Sequence, residues 1–587
     1  MTKQKNPIVN VFKAEWQNLG PRKSKFILYT SLFVIAGIIG LMNPLVIGLI
    51  FNKVQDQITT DAELTSLIKM IFLLLGINIL FWIFHGTARV MEQKTGFFVN
   101  RSYVNSKIER VLELPIKWHK DHHSGDTIDK INRGSSAISE FSRGTTFEIF
   151  YACTELIGSV IILLFFDIRA SLIALTFSFA TIYIMYRMDL KLNKQYNEIN
   201  SYGNKTAAKV FDYISNVITV ITLRLKKTVK EDIDNKIMAS YKIEKKNVVL
   251  NEIKWGTASI AISLMTVVVL SLKAYTDFNT IGIIKVGTLY ILYGYLNQVG
   301  QTFYRFASLY GSVVRCSSRL ENARPIDDEF NKLNVDTSST MSPDWNKVAI
   351  KNLSFNHDEK QEKMHLDKIN LDFKKGQKIA LIGTSGSGKS TMLSLLRGLV
   401  KPESGEVSID GKLTKQGFEM IKHTVTLIPQ DPEIFNNTIE YNITMNIPTE
   451  NKDLKKAIEM SQFREVVERL PNKLQTNVLE KGVSLSGGEK QRLALARGLL
   501  AAKNSEIVLM DEPTSSVDTI NEIKIYNQIF REFKDKTIIS ALHKLHLLKN
   551  FDYIYIFDKG KIIAEGTLPE LKSKPIFRII WEKYNSK

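Results

Sequence analysis

The sequence is poor in cysteine and contains no low-complexity tract or short internal repeat. Its two cysteines, Cys153 and Cys316, are too few for a disulfide-stabilised scaffold. With 31 Phe and 20 Tyr the chain is not a disordered one, because disordered chains lack the apolar side chains that build a core. A length of 587 residues exceeds that of a typical single domain. The chain is therefore expected to be ordered and to contain more than one domain.

Acidic residues are outnumbered, with 60 Asp and Glu against 78 Lys and Arg, which gives a formal net charge of +18. Such an excess can indicate nucleic-acid binding. Here many basic residues lie in two long segments between apolar runs, which is the distribution expected of cytoplasmic loops in a membrane protein. We therefore expect membrane lipid, and no nucleic acid, around this part of the chain.

Long apolar runs are almost confined to the residues before 310. Residues 26–51 carry no charged side chain, and a helix of roughly 20 such residues crosses a bilayer. Asn43 and Pro44 interrupt this first run. Five further runs follow at 70–88, 149–166, 170–186, 255–272 and 286–303. The pattern predicts an α-helical transmembrane domain with six spans.

The connections between the predicted spans differ in length. Short segments join spans 1 and 2, 3 and 4, and 5 and 6, whereas long basic segments join spans 2 and 3 and spans 4 and 5. By the positive-inside rule the long segments and both termini are cytoplasmic. Residues 9–19 are predicted to form an amphipathic interfacial helix, with a frayed tail as the alternative. We assign 1–330 to the transmembrane domain, 331–346 to a polar linker and 347–587 to an α/β domain.

In the α/β domain a glycine-rich loop follows a short apolar strand predicted at 378–382. The loop fits G-x-x-x-x-G-K-[S/T] and precedes a helix-like segment, which is the context that a phosphate-binding loop requires. Its backbone N–H groups and the helix N-terminus attract phosphate oxygens. Lys389 is predicted to reach the β- and γ-phosphates. The predicted nucleotide-binding residues of this loop are Gly383, Thr384, Ser385, Gly386, Ser387, Gly388, Lys389, Ser390 and Thr391.

Two carboxylates follow a second apolar strand predicted at 506–510. A carboxylate at the carboxyl end of a buried strand can hold Mg²⁺ through water, and we assign Asp511 to this role. The next carboxylate, Glu512, is placed to orient or deprotonate the attacking water. The alternative is a pair of solvated carboxylates at a strand end. The phosphate-binding loop upstream favours an α/β P-loop nucleotide-binding domain.

Residues 485–492 read LSGGEKQR. This segment resembles the signature sequence of ATP-binding-cassette (ABC) proteins, with Glu489 where Gln is commoner. Six spans fused to one cassette resemble a half-transporter of the exporter-fold (type IV) class, and the resemblance extends over the whole chain. It implies an ATPase that uses ATP and Mg²⁺ and couples hydrolysis to the movement of a substrate across a membrane.

Further family motifs match single positions of this sequence. The resemblance implies that Gln430 contacts Mg²⁺ and that His543 contacts the γ-phosphate. The family stacks a Tyr on adenine, and here His357 occupies that position, with Phe355 as the alternative. The implied catalytic residues are Lys389, Gln430, Glu512 and His543. The implied Mg²⁺ ligands are Ser390, Gln430 and Asp511.

The signature sequence also bears on assembly. Ser486, Gly487 and Gly488 stand at a helix start, which is a second anion-binding position. In the family, these residues of one cassette complete the ATP site of the other. The resemblance therefore implies a dimer. A homodimer is expected, because this chain carries both halves of an intact site, and a heterodimer with a second half-transporter stays open.

Polar side chains occur within the predicted spans. Five of them share one helical face of the sixth span and either line a substrate cavity or pack between helices: Tyr290, Tyr293, Asn297, Gln301 and Tyr304. Glu155 lies within the third span, where an ionisable residue is costly. It either binds a cationic group of the substrate or pairs with a basic residue of another helix.

The favoured function is ATP-driven export of an amphipathic small molecule, lipid or peptide across the plasma membrane. One alternative is an importer on the same fold, such as a siderophore importer. Another is an ATP-gated membrane regulator that transports nothing. The sequence leaves open the substrate, the direction of movement and the pairing of chains.

Overall fold

The structure is a computed structural model that describes residues 6–333, 341–356, 365–414, 417–479, 485–575 and 577–578. The chain divides into two compact units. A helical unit comprises Met1–Leu114 and His122–Lys332, and a sheet unit comprises Pro115–Asp121 and Leu333–Lys587. The described strands all lie in the sheet unit.

The helical unit contains helices of very different lengths, and the longest of them exceed what a bilayer requires. They are α1 (Pro7–Asn18), α2 (Lys23–Gly40), α3 (Met42–Gln55), α4 (Asp61–Glu113), α6 (Ser124–Glu140), α7 (Thr146–Phe166), α8 (Ile168–Ser215), α9 (Val217–Thr222), α10 (Lys226–Ile281), α11 (Val286–Asn322) and α12 (Arg324–Phe330). A π-helical turn, Phe141–Thr145, joins α6 to α7. The short helix α5 (Ile116–Asp121) belongs to the sheet unit.

Five helical segments among the described residues are long and apolar enough to cross a membrane. They are Gly20–Gln55, Asp61–Glu113, Ser124–Phe166, Ile168–Ser215 and Lys226–Thr280. Each contains one of the first five predicted spans. The sixth predicted span lies in α11, which is long but has Tyr, Asn and Gln side chains among its apolar residues. The count of six spans therefore stays a prediction.

The first predicted span is divided into two helices, α2 and α3, at Leu41. Pro44 lies in the first turn of α3, where a missing backbone N–H costs little. Glycines let α3 approach α11 closely. A Cβ on Gly287 would lie 2.0 Å from the carbonyl oxygen of Gly48, and a Cβ on Gly294 would lie 2.7 Å from the Cβ of Pro44. Side chains at these glycines would push the two helices apart.

The N-terminal helix α1 packs onto the helical unit. Val11 is fully buried, and the buried Glu15 accepts a hydrogen bond from the Thr146 hydroxyl at 3.1 Å. Most of the residues predicted at 9–19 are therefore helical rather than frayed. Farther along the chain, α8 and α10 are held side by side by an ion pair of 2.9 Å between Asp189 and Lys254.

The sheet unit contains two sheets. Its strands are β1 (Lys347–Phe355), β2 (Leu366–Lys374), β3 (Lys378–Gly383), β4 (Ser404–Ile409), β5 (Lys412–Leu413), β6 (Val425–Ile428), β7 (Ile507–Asp511), β8 (Thr537–Ala541), β9 (Tyr553–Asp558) and β10 (Lys561–Gly566). The order β2-β1-β4-β5 forms an antiparallel sheet. The order β10-β9-β3-β8-β7-β6 forms the larger sheet, in which only β10 is antiparallel to its neighbour.

Helices cover the larger sheet and bury its apolar strands. They are α13 (Lys389–Leu396), α17 (Gly487–Ala501), α18 (Thr519–Glu532) and α19 (Leu568–Lys572), whereas α14 (Ile439–Thr444), α15 (Asn451–Met460) and α16 (Arg464–Arg469) form a separate core with α17. Strand β3 is buried along its whole length, as expected of a central parallel strand. The predicted α/β domain is thus observed. The predicted strand at 378–382 lies within β3, and the strand predicted at 506–510 corresponds to β7, with each boundary shifted by one residue.

A buried lysine joins the start of β3 to the end of α18. Lys378 Nζ, with its three N–H donors, lies within hydrogen-bonding distance of four carbonyl oxygens, those of Gly376 at 3.0 Å, Phe533 at 2.9 Å, Lys534 at 3.0 Å and Lys536 at 2.5 Å. The carbonyl oxygen of Phe533 also accepts from Lys536 N at 3.1 Å, whereas the other three stand in turns or beyond the end of α18, where backbone donors are few. The ammonium group replaces the missing donors.

Replacement of Lys378 by Met is expected to destabilise the sheet unit by about 3 kcal/mol, because the carbonyl groups around the ammonium would lose their donor. Thermal unfolding of the purified chain, followed by circular dichroism, would show a lower midpoint. Lys374→Met, at an exposed position of β2, is the matched control and should leave the midpoint unchanged. An unchanged midpoint for Lys378→Met would contradict this role.

Candidate functional site

The predicted site residues meet at one edge of the larger sheet. Strands β3, β8, β7 and β6 are parallel neighbours in that order. Their carboxyl ends therefore lie side by side, which is where α/β proteins bind ligands. The phosphate-binding loop follows β3, His543 follows β8, Glu512 follows β7 and Gln430 follows β6. Chain topology alone thus brings together four segments that are far apart in sequence.

The loop between β3 and α13 needs its glycines. Gly388 has φ of 108° and Gly383 has φ of 152°, values that disfavour a side chain. A Cβ on Gly383 would lie 2.2 Å from the carbonyl oxygen of Phe557, and a Cβ on Gly388 would lie 2.5 Å from Leu366 Cδ2. The loop is therefore compact for steric reasons as well as for phosphate binding.

Lys389 is buried at the start of α13 and lies over the loop. Its Nζ donates to the carbonyl oxygens of Gly383 at 2.8 Å and Thr384 at 3.3 Å. Burial lowers the pKa of Lys389, and the nearby Glu512 and Asp511 oppose that shift. The ammonium group is thus placed in the loop that would surround phosphate.

An oxygen-rich pair lies beside Lys389. The Ser390 hydroxyl donates to Asp511 Oδ1 at 2.9 Å. Burial raises the pKa of Asp511, and the Ser390 hydrogen bond lowers it. Hydroxyl and carboxylate oxygens are the ligand types that Mg²⁺ prefers, so the donors fit the ion. Among the described residues no group of three or more His, Cys, Asp or Glu side chains could hold a metal alone. Phosphate oxygens and water would have to complete the coordination.

Glu512 is held from two sides. Gln430 Nε2 donates to Glu512 Oε2 at 3.1 Å, and His543 Nε2 lies 3.1 Å from Glu512 Oε1. Glu512 is buried and has a left-handed φ of 48°. A non-glycine residue in that region is uncommon and clusters at functional sites. Burial raises the pKa of Glu512, whereas His543 and Lys389 oppose the shift.

Most of these groups line one cavity of about 440 Å³, whereas Asp511, Gly383 and Thr384 are not part of its lining. Its lining includes seven of the nine predicted loop residues, 385–391, together with Gln430, Glu512 and His543. The signature residues Ser486, Gly487 and Gly488 are not part of this lining. Ser486 instead caps α17, where its side chain and that of Glu489 form a capping box. His357 lies outside the described residues, and Phe355 is buried in the core.

Comparisons with known proteins decide the family. The model for the ABC transporter ATPase domain matches residues 366–515, and the model for the ABC transporter transmembrane region matches residues 26–303. Together the two models cover well over half of the chain. The chain belongs to the ABC transporters. The resemblance stated from the LSGGEKQR segment is confirmed, and this transporter is an ATPase coupled to transport.

Relatives of the transporter cover most of its length. It is 26% identical over 564 residues to the "Putative multidrug export ATP-binding/permease protein" of Staphylococcus aureus, covering 92% of this chain and 94% of that protein. It is 29% identical over 488 residues to the "Heavy metal tolerance protein" of Schizosaccharomyces pombe, covering 81% of this chain but 57% of that protein. Its fold matches that of a bacterial Atm1-family ABC exporter with a TM-score of 0.82.

The structural match is broad in extent and low in sequence identity. It covers 96% of this transporter and 99% of the Atm1-family chain at 22% identity. A match of this kind shows the fold, which is the exporter fold predicted from the spans and the single cassette. The transporter is therefore a multi-pass membrane protein with a nucleotide-binding domain that binds ATP.

The structure adds a residue that the sequence reasoning missed. Gln491 is buried in α17 of the transporter and contacts two loops of the site, those after β6 and β7. Its Nε2 donates to Ser515 Oγ at 2.8 Å and to the carbonyl oxygens of Gln430 and Glu512 at 3.4 Å, and its Oε1 accepts from Ser516 N at 2.7 Å. Gln491 lies inside the signature segment, so its position was visible but its partners were not. His365 and Lys559 also line the cavity and were not predicted.

Replacement of Gln491 by Leu is expected to lower kcat for ATP by about 100-fold, because displaced reacting groups are costly. The Michaelis constant for ATP should change little, since Gln491 does not line the cavity. Steady-state ATPase assays of the purified transporter would separate the two constants. Lys490→Met changes the neighbouring residue and is the control. A rise in the Michaelis constant alone would contradict the positioning role.

Proposed function

We propose that this transporter exports an amphipathic compound, driven by ATP hydrolysis in a dimer of two such chains. The observation that carries the proposal is Glu512. This buried carboxylate contacts both Gln430 and His543 and faces the cavity of the phosphate-binding loop. A chain that only binds ATP has no need of a carboxylate held in this way.

The side chains of the cavity support distinct roles in hydrolysis. Lys389 binds the β- and γ-phosphates and balances their charge, and the loop N–H groups orient them. Glu512 accepts the proton of the attacking water or orients that water. His543 holds Glu512 and contacts the γ-phosphate. Ser390, Gln430 and Asp511 would hold Mg²⁺, which neutralises phosphate charge when bound.

A second chain supplies what this cavity lacks. The signature residues Ser486, Gly487 and Gly488 lie at the start of α17 and not in the lining of their own chain's cavity. Their N–H groups would bind the γ-phosphate held by a partner cassette. We propose a homodimer, because every proposed residue of both half-sites is present in this chain. The two cassettes would close on ATP and separate after hydrolysis, and this would shift the conformational equilibrium of the membrane helices. ATP can cause such a shift only because it binds the closed state more tightly than the open one.

Outward movement across the plasma membrane is supported by the fold and by the relatives. The Staphylococcus aureus relative is named for multidrug export, and the Atm1-family structure is that of an exporter. Neither a siderophore importer nor a non-transporting regulator has comparable support. The polar face of α11 supports an amphipathic substrate, because Tyr293, Asn297 and Gln301 are exposed within the chain.

The proposal is tested by comparing the small molecules and lipids inside and outside cells that express the native chain or Glu512→Gln. A compound enriched outside only with the native chain would establish export and name the substrate. Enrichment inside would overturn the direction and favour the importer. No difference, combined with ATP hydrolysis by the purified protein, would favour the non-transporting regulator or an obligatory second chain. Co-purification of differently tagged copies distinguishes those two outcomes.

The burial of Glu512 predicts a pH dependence of ATP hydrolysis. Burial raises the pKa of Glu512 above the usual 4.5, and only the ionised carboxylate can accept a proton from water. As pH falls through the raised pKa, kcat should decline, and the decline should begin above the pH at which an exposed glutamate titrates. Measurement of kcat at saturating ATP between pH 5 and pH 8 checks this, with circular dichroism confirming that the protein stays folded. A decline that begins no higher than the titration of an exposed glutamate would contradict the assignment.

A further inference from the structure

Glu155 of the third predicted span has a partner in the sixth. Arg305 Nη1 donates to Glu155 Oε2 at 2.5 Å, and the Thr302 hydroxyl donates to the same oxygen at 3.4 Å. Glu155 lies in α7, whereas Arg305 and Thr302 lie in α11. Of the two alternatives left open by the sequence, the structure supports pairing with a basic residue of another helix. The pair makes both charges less costly at this depth.

The two charges of this pair are not equally accessible. The Arg305 side chain is 36% exposed and the Glu155 side chain 12% exposed, so the guanidinium forms the outer end of the pair. The centroid of the Tyr151 ring lies 5.4 Å from the guanidinium carbon, which is within the range of a cation–π contact. A guanidinium has five N–H donors. In the part of the chain that the structure describes, only Nη1 of Arg305 makes a hydrogen bond. Its Nε and Nη2 donors are available to a ligand.

Arg305 continues the polar face of α11. We define the polar stripe as Tyr293, Asn297, Gln301 and Arg305, which follow one another at intervals of four residues and so lie on one side of the helix. The first three are exposed in the chain. Amide and guanidinium groups do not face hydrocarbon, because unsatisfied polar groups are costly there. The polar stripe therefore faces the interior between helices of the proposed dimer, where a water-filled cavity would hydrate it.

We propose that the polar stripe leads to an anion-binding site at Arg305, which binds a carboxylate or phosphate group on an otherwise apolar substrate. The proposal rests on the proposed export function and names its substrate class. The free Nε and Nη2 donors match two oxygens of such a group. Glu155 balances the charge of the empty site and orients the guanidinium from behind. A cationic substrate group is disfavoured, because Arg305 stands between Glu155 and the exposed side.

Binding of two amphiphiles with the same alkyl chain tests the sign of the site. The purified full-length protein, in nanodiscs of phosphatidylcholine without anionic lipid, is titrated with dodecyl phosphate and with dodecyltrimethylammonium in the absence of ATP. We expect saturable binding of dodecyl phosphate. Arg305→Gln should weaken it by about tenfold or more, the value of a hydrogen bond to a charged group. Arg315→Gln removes a charge farther along α11 and should leave the affinity unchanged. Laurate in place of dodecyl phosphate shows whether the site prefers carboxylate or phosphate.

Arg305→Gln leaves Glu155 without its partner and could therefore lose binding by misfolding. A charge-swapped variant keeps the proposal testable in that case. Glu155→Arg/Arg305→Glu keeps an ion pair between α7 and α11 but places the carboxylate at the outer end. This variant should lose dodecyl phosphate binding and acquire binding of dodecyltrimethylammonium. If either variant binds dodecyl phosphate as tightly as the native chain, Arg305 belongs to a purely structural ion pair and the proposal is wrong.

The outcome separates this proposal from the proposed function. Binding is measured without ATP, so it does not depend on hydrolysis or on export. Binding of dodecyl phosphate without export of any compound from cells would support the anion site and overturn the exporter. Export of other compounds by a chain that does not bind dodecyl phosphate or laurate would support the exporter and overturn the anion site.

Discussion

The Glu512→Gln variant is expected to hydrolyse ATP about 1,000-fold more slowly than the native chain while still binding ATP. A general base of this kind contributes between about 100-fold and 10,000-fold to a rate. The substitution preserves the size and shape of the side chain, so Gln430 and His543 keep a partner at 3.1 Å. An amide cannot accept the proton that the carboxylate accepts. The loss therefore falls on turnover and not on affinity.

Two measurements on purified protein check this result. Phosphate release gives the turnover number, and equilibrium binding of a fluorescent ATP analogue gives the affinity. Glu459→Gln makes the same chemical change at an exposed position and should leave both quantities unchanged. Near-native turnover by Glu512→Gln would show that another group activates water, and the role given to Glu512 would have to be abandoned.

The Lys389→Ala variant is expected to bind ATP about 100-fold more weakly and to lose measurable turnover. A hydrogen bond to a charged group contributes about 1.5–3 kcal/mol, which corresponds to roughly ten- to 100-fold in affinity. The native ammonium also donates to the carbonyl oxygens of Gly383 and Thr384, so its removal loosens the loop as well. Loss of the hydrogen bonds to the loop affects the empty site, and loss of the ammonium group affects the bound phosphates.

The same assays distinguish this variant from Glu512→Gln, since one loses affinity and the other retains it. Lys401→Ala, at an exposed position after α13, serves as the control for loss of a lysine. Circular dichroism would establish that Lys389→Ala is folded. Unchanged affinity together with unchanged turnover would reject the phosphate-binding loop as the nucleotide site.

Most residues of the candidate nucleotide site could be predicted because they lie in short segments with recognisable sequence patterns. The loop at 383–391 needs glycines where the backbone is crowded, as at Gly383 and Gly388, and such a pattern is visible in sequence. Glu512 was predicted because it follows a buried strand, and His543 was predicted from the resemblance to the family. Their contact with each other depends on the strand order β3-β8-β7-β6, which no local pattern reveals.

Contacts between distant residues could not be predicted. Glu155 and Arg305 are 150 positions apart, so the sequence could not choose between a pairing role and a substrate role for Glu155. Gln491 was visible within the signature segment, but its hydrogen bonds depend on how α17 packs against the loops after β6 and β7. The sixth span was predicted on length and is too polar for composition alone to support it. That same polarity is what makes α11 informative about the substrate.

The length of α10 has a mechanical consequence. With 56 residues and a rise of 1.5 Å per residue, this helix is about 84 Å long, nearly three times the hydrocarbon thickness of a bilayer. The ion pair between Lys254 of α10 and Asp189 of α8 joins the two helices into a stiffer pair. A rod of this length acts as a lever, because a tilt of a few degrees at one end displaces the other by more than the width of a side chain. A small movement at one end of this pair of helices would thus produce a large displacement at the other end of the same unit.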